Sequence, residues 1–231
     1  MSSAHHPARG SGARRLAAAL ALTTAACGTA TEAEPAADPD LLLEVDGLQL
    51  WREDFDPLDR YLAEMDRTLG RKYRRRALLE NHFLPLLLAE RAFAEERAAM
   101  LERAAGLVAV AGNGRELEQK GAVAGGAWTE KPILRADLPI PVAAFAFRPE
   151  HIGAVSPPIA VPRGFVVASP GEIVPGMSSH VDRVRVFLVP FLTHEAAAFT
   201  DWLSPAREAL RGKITHIHPD LEGALPEWLV E

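Results

Sequence analysis

The sequence predicts an α+β fold, a mainly helical module joined to a small antiparallel sheet with short helices. Two observations carry this. From residue 52 to about residue 105, apolar side chains recur at three- and four-residue steps, the period of helices with one buried face. Before and after that block, short apolar runs rich in Val, Ile and Leu are set off by Asp46-Gly47, Gly125-Gly126 and Pro157-Pro158, which are turn signals between strands.

The first element is one to be removed. Arg14-Arg15, an apolar run from Leu16 to Ala26, and small residues up to Cys27 follow the plan of a secretory signal. About a dozen apolar residues are too few to span a bilayer, which takes about 20 per helix. Cys27 is the single cysteine of the chain and resembles the lipobox cysteine of bacterial lipoproteins, with Thr24 where Leu is usual. The expectation is a lipoprotein signal over 1–26 and lipidation at Cys27; the alternative is an ordinary signal peptide with Cys27 incidental. Residues 27–41 carry few large apolar side chains and read as a disordered tether. This places the protein in the bacterial cell envelope, facing the periplasm, with Gly28 after the cysteine pointing to the outer membrane.

Charge narrows the partners. Removing residues 1–26 takes Arg9, Arg14 and Arg15 from the 25 Lys and Arg, leaving 22 against 31 Asp and Glu, a formal charge of −9. A chain this acidic is not expected to bind nucleic acid. With no second cysteine there is no disulfide, so packing must supply the stability.

Leu42 to Leu50 reads as two short strands about the Asp46-Gly47 turn. A helix then starts with Glu53 and Asp54 in its first turn, carries Phe55, Leu58, Leu62, Met65 and Leu69 on one face, and ends at Gly70. A second helix is predicted from about Arg71 to Ala105, kinked at Pro85, with Leu78, Leu79, Phe83 and Ala89 inward and Glu90, Arg91 and Arg97 wet. The run Arg71, Lys72, Arg74, Arg75 and Arg76 reads as a solvated helix start or as a surface for anionic headgroups.

Residues 45–55 followed by 77–92 resemble the N-terminal segment of SurA-type and PrsA-type periplasmic foldases, whose hairpin and helices form a module that cradles unfolded polypeptide. Gly125-Gly126-Ala127-Trp128, Pro139 to Phe147, Gly153-Ala154-Val155 and Gly164 to Ala168 resemble the second half of a parvulin domain. The resemblance implies a helical module over 42–105, a partial parvulin-like domain over 106–175, and a C-terminal segment, 176–231, packing back on the helices. It also implies peptidyl-prolyl isomerisation of exported polypeptides, with no cofactor.

Rotating an X-Pro amide means crossing a barrier of ~18–20 kcal/mol, which parvulins lower with an apolar pocket beside paired histidines. Aligned on Phe145, the pocket Met of the family falls at Ala136, the pocket Phe at Ile140, and one histidine at Val166; the other histidine has no counterpart. The substrate pocket is therefore expected around Ile140, Phe145 and Phe165, with no catalytic residue identified. A non-catalytic chaperone or peptide-binding lipoprotein is the alternative.

His216 and His218 flank Ile217 as a metal pair on one strand face would, with Asp220 or Glu222 the nearest further ligand; packed or exposed histidines, and no metal, are expected. Val184 to Val189 alternate as a strand does, against which Pro190 argues. A helix from His194 to Arg211, capped by Gly212, and a strand from Lys213 complete the chain.

Overall fold

Asp46 and Gly47 both take positive φ, 51° and 75°, as a two-residue hairpin turn requires, and they join β1 (Leu41–Val45) to β2 (Leu48–Trp51). The computed structural model describes residues 38–230. The signal, Cys27 and all of the tether but its end lie outside them. That end is ordered: Leu41 is buried and opens β1.

α1 (Arg52–Met65) follows directly, with Phe55, Asp59 and Tyr61 buried. It stops five residues before Gly70, because Asp66 accepts from the N–H and hydroxyl of Thr68 at 2.9 and 2.6 Å and turns the chain. Leu69 is left exposed, and Gly70 caps the next helix instead.

The single kinked helix expected over 71–105 is four segments. α2 (Arg71–Leu78) runs into a π-helical turn at Leu79–Phe83, followed by α3 (Leu84–Ala92) and α4 (Ala94–Val110). Leu84 N–H bonds five residues back to Leu79 C=O, which opens the helix just where Pro85 lacks a donor. The sharper break is at Phe93, with φ −123° and ψ 35°, where the ring packs on His194 and Trp202 at 4.9 and 4.6 Å.

α5 (Gly114–Gly121), capped by the Asn113 side chain, leads to a sheet of β3 (Ala127–Trp128), β7 (Arg183–Leu192), β6 (Gly164–Val174) and β5 (Ile159–Val161), in that order. β4 (Ile133–Leu134) also pairs with β7, and α6 (Ile140–Ala146) crosses one face. α4 and α5 cover the other face over Val167, Phe187 and Val189.

β7 passes through Pro190. Val186 turns its N–H and C=O to Thr129, so the two-residue period turns the Pro190 backbone to the same side, away from β6. β3 pairing ends at Leu188, and the missing donor falls on an open edge. The domain boundaries shift accordingly. Residue 106 lies inside α4, and 183–192 belong to the sheet rather than to the C-terminal segment.

α7 (Ala196–Glu208), a turn at Gly212 with φ 67°, β8 (Ile214–Ile217) and α8 (Glu227–Val230) return to the N-terminal helices. β8 pairs with β1, and Leu210, Leu221 and Leu229 enter one core with Leu43, Phe55, Leu78 and Leu84. A sheet lobe, 94–193, is thus inserted between the two halves of a helical lobe, 38–92 and 195–230.

The arginine run is a solvated helix start at exposed Arg71 and Lys72 and turns inward from Arg74 to Arg76. Arg74 and Arg75 grip buried Asp59 at 2.6 and 2.9 Å, Arg76 pairs with Glu227, and Arg71 binds Asp220 at 2.6 Å. Arg52 also binds Asp220, and its hydrogen bond leads in holding that carboxyl below the usual carboxylate range. Arg97, expected in water, is buried and donates to the carbonyls of Val161 and Pro162 at 3.1 and 2.9 Å, pinning α4 to the β5–β6 turn.

Candidate functional site

α6 spans seven residues against the ten of β7, so it leaves part of its sheet face bare. A groove of about 400 Å³ results. Its floor is Val166 of β6 with Leu188, Pro190 and Leu192 of β7, which share a face because alternate residues of a strand do. Pro139 and Val142 form one wall, Ala127 and Thr129 the other.

The turn into β3 is set by close packing. A Cβ on Gly126 would sit 2.8 Å from Val189 Cγ2 and 2.9 Å from both Phe187 Cε1 and Gly121 O. Gly125 adopts φ 83°, which glycine tolerates. This pair brings β3 against β7 for two residues only and keeps the edge beyond Leu188 open.

Among the described residues, no ionisable side chain lines the groove. The Thr129 hydroxyl is already engaged with Val186 N–H at 3.3 Å. What the groove can do is desolvate apolar side chains, at about 1.5–3 kcal/mol for each one fully buried. The bond from Val186 N–H leaves the Thr129 O–H free to donate, so among the described residues the groove carries one hydroxyl donor and no lining side chain that titrates.

The three expected pocket residues do not come together. Ile140 begins α6 and packs against the helical-lobe core and the core beneath α6. Phe145, near the other end of α6, stacks on His151 with ring centroids 4.2 Å apart. Phe165 lies on the opposite face of the sheet, under the Arg97 guanidinium at 5.1 Å. The cause is the alternation of β6: Val166 and Ala168 face α6, Phe165 and Val167 face α4. Of the groove residues, Ala127, Pro139, Val142 and Val166 lie in segments that carry the parvulin resemblance, but none of them is among the expected pocket residues. For the β7 part of the floor the signal is the alternation of Leu188, Pro190 and Leu192.

The described histidines sit elsewhere. His82 is buried in the π turn, where desolvation lowers its pKa to about 4. His151 Nδ1 donates to Phe145 C=O at 2.9 Å. His216 Nε2 donates to Leu41 C=O at 3.0 Å, while His218 lies beyond the end of β8 with Nδ1 accepting from Asp220 N–H and Nε2 3.2 Å from Arg52. These two ring systems are held by separate partners and do not converge as a metal pair.

Comparison of the chain with protein-family models, with curated proteins and with solved structures finds no match.

Proposed function

We propose that this protein is an envelope-exported, lipid-anchored foldase that works by holding, its groove taking apolar side chains of extended segments of exported polypeptides. The single observation behind this is the chemistry of the groove: an apolar floor, walls whose polar side chain is Thr129, an open strand edge, and no ionisable lining among the described residues. Pro190 blunts that edge as a pairing template, so the groove selects side chains rather than adding a strand. The layout, a sheet lobe inserted in a discontinuous helical lobe, supports a SurA-like plan. Lipidation at Cys27 and an outer-membrane position rest on the signal alone; labelled palmitate should enter the wild-type chain in cells and not Cys27→Ala.

The binding test uses fluorescent extended peptides with a central Leu, Pro or Asp. Leu and Pro peptides should bind at least tenfold more tightly than Asp, a difference of ~1.4 kcal/mol. Leu188→Glu should remove that preference while the protein stays folded. Equal binding of all three peptides, or an unchanged preference in Leu188→Glu, would sink the groove.

A second reading, isomerisation of X-Pro bonds, is favoured by the groove lying between α6 and β6, the elements that carry the parvulin resemblance. Acceleration of cis/trans exchange by the wild type, lost in Leu188→Glu, would establish it over simple holding.

A further inference from the structure

The stretch from residue 67 to residue 73, which turns the chain from α1 into α2, is exposed at every position. It holds Arg67, Arg71 and Lys72 and no acid, in a chain whose formal charge is −6. Two large apolar side chains stand among these cations, Leu69 at 37% and Tyr73 at 66% exposure. Cations interleaved with an exposed leucine and tyrosine suit a lipid interface, where headgroups take the charge and the amphipathic ring sits at their level.

Helix stability does not account for this tip. α2 has no acid in its first turn, where the helix dipole favours one, and carries Arg71 and Lys72 there instead. Among the described residues Arg67 and Lys72 enter no ion pair. Arg71 pairs with Asp220 at 2.6 Å, but that carboxyl also meets Arg52 at 3.0 Å and Arg75 at 3.8 Å, so one acid is divided among three guanidinium groups. Two further acids lie near. Asp66 turns its carboxylate onto the N–H and hydroxyl of Thr68, and Glu222 shares the cleft in front of Arg71, Lys72 and Arg75. Neither belongs to the exposed stretch, whose own charges are all positive.

We propose that this tip is a membrane-contact surface, with Arg67, Arg71 and Lys72 meeting the phosphates of anionic lipid headgroups while Leu69 and Tyr73 enter the headgroup layer. An acidic polypeptide would answer the cations alone; a lipid interface answers the apolar pair as well. The contact is independent of what the groove binds. It supplements an anchor rather than replacing one, because each cation near an anionic leaflet contributes little by itself.

An environment-sensitive fluorophore at Tyr73→Cys, in the full chain carrying Cys27→Ser, reads the tip. One at Glu118→Cys, exposed on α5, reads the sheet lobe. Each label reports its own surroundings, so attachment through the apolar run before Cys27 does not by itself shift the tip label. Vesicles of phosphatidylcholine and phosphatidylglycerol in equal parts should move the tip emission to shorter wavelength, with no change at residue 118 and none on pure phosphatidylcholine. Added salt should reverse the shift. Arg67→Glu combined with Lys72→Glu should raise the vesicle concentration needed by about tenfold and leave the thermal midpoint in place. No shift on anionic vesicles, an equal shift on pure phosphatidylcholine, or a shift unmoved by the double variant would overturn the membrane contact. Soluble polyglutamate binding the tip more tightly than anionic vesicles of equal charge would also overturn it and make the partner an acidic polypeptide. Should the double variant unfold, the comparison of the two vesicle types decides alone.

Discussion

The two faces of β6 and β7 are made of the same strands and differ in what covers them. On one face Val167, Phe187, Val189 and Phe191 are buried beneath α4, a helix of 17 residues, together with α5. On the other, the seven residues of α6 cover Ala168, Val184 and Val186 and stop short of Pro190 and Leu192, which stay exposed. The residue types are alike. The groove is therefore a product of helix length and placement rather than of special side chains, and an apolar surface left over by packing becomes a binding surface.

That comparison can be broken by substitution. Phe187→Ala, on the covered face, should cost about 3–5 kcal/mol in urea unfolding, whereas Leu188→Ala, its neighbour on the bare face, should cost about 1 kcal/mol. Equal costs would mean that both faces are packed alike and that the groove closes in solution.

The pH at which the comparison is made also matters, through the helical lobe. His82 is buried and held neutral, with its pKa lowered from 6.5 to about 4 by desolvation. The unfolded chain therefore takes up the proton first on acidification. Stability is complete above about 6.5, falls as pH drops through the window between the two values, and stops falling on this account below about 4. The loss amounts to about 3 kcal/mol. Measured unfolding free energies from pH 7.5 to 4 should follow this curve, and His82→Phe should flatten it.

The smallest expected effect sharpens the view of the groove's entrance. Gly126→Ala would press a methyl group against Val189, Phe187 and the Gly121 carbonyl at under 3 Å. A cost of about 1–3 kcal/mol is expected, with weaker peptide binding as β3 shifts off β7. Thermal unfolding and peptide titration together check this; normal stability with normal binding would show that β3 does not set the groove wall.

Some of this molecule is written locally. Asp46-Gly47 dictates its hairpin because the two positive φ angles it needs are cheap for those residues. Val142 to Phe145 announce α6, and Gly212 with φ 67° ends the turn after α7, each from signals within a few residues. The split of one long helical pattern into α2, α3 and α4 was less legible. The Pro85 region was visible, but the break at Phe93 coincides with ring packing against His194 and Trp202, about a hundred residues away in sequence.

The candidate site was least legible of all. Ile140, Phe145 and Phe165 are apolar and close in sequence, yet strand alternation puts Phe165 on the far face, and no periodicity tells which face a helix will leave bare. Arg97 reads as a wet-face residue until three carbonyls of the β5–β6 region, at Val161, Pro162 and Gly164, meet it in the interior.

By itself, then, the sequence determined the α+β class, the hairpin, the short helices and the strand-forming runs, because turn chemistry and hydrophobic period act over a few residues. Only the tertiary structure decided which surfaces stay open, which charges are spent on each other, and where the chain crosses between lobes. Those depend on contacts between segments far apart in the chain, such as Asp220 meeting Arg71 of α2 across 149 residues, and a pattern read along one segment carries no information about its partner.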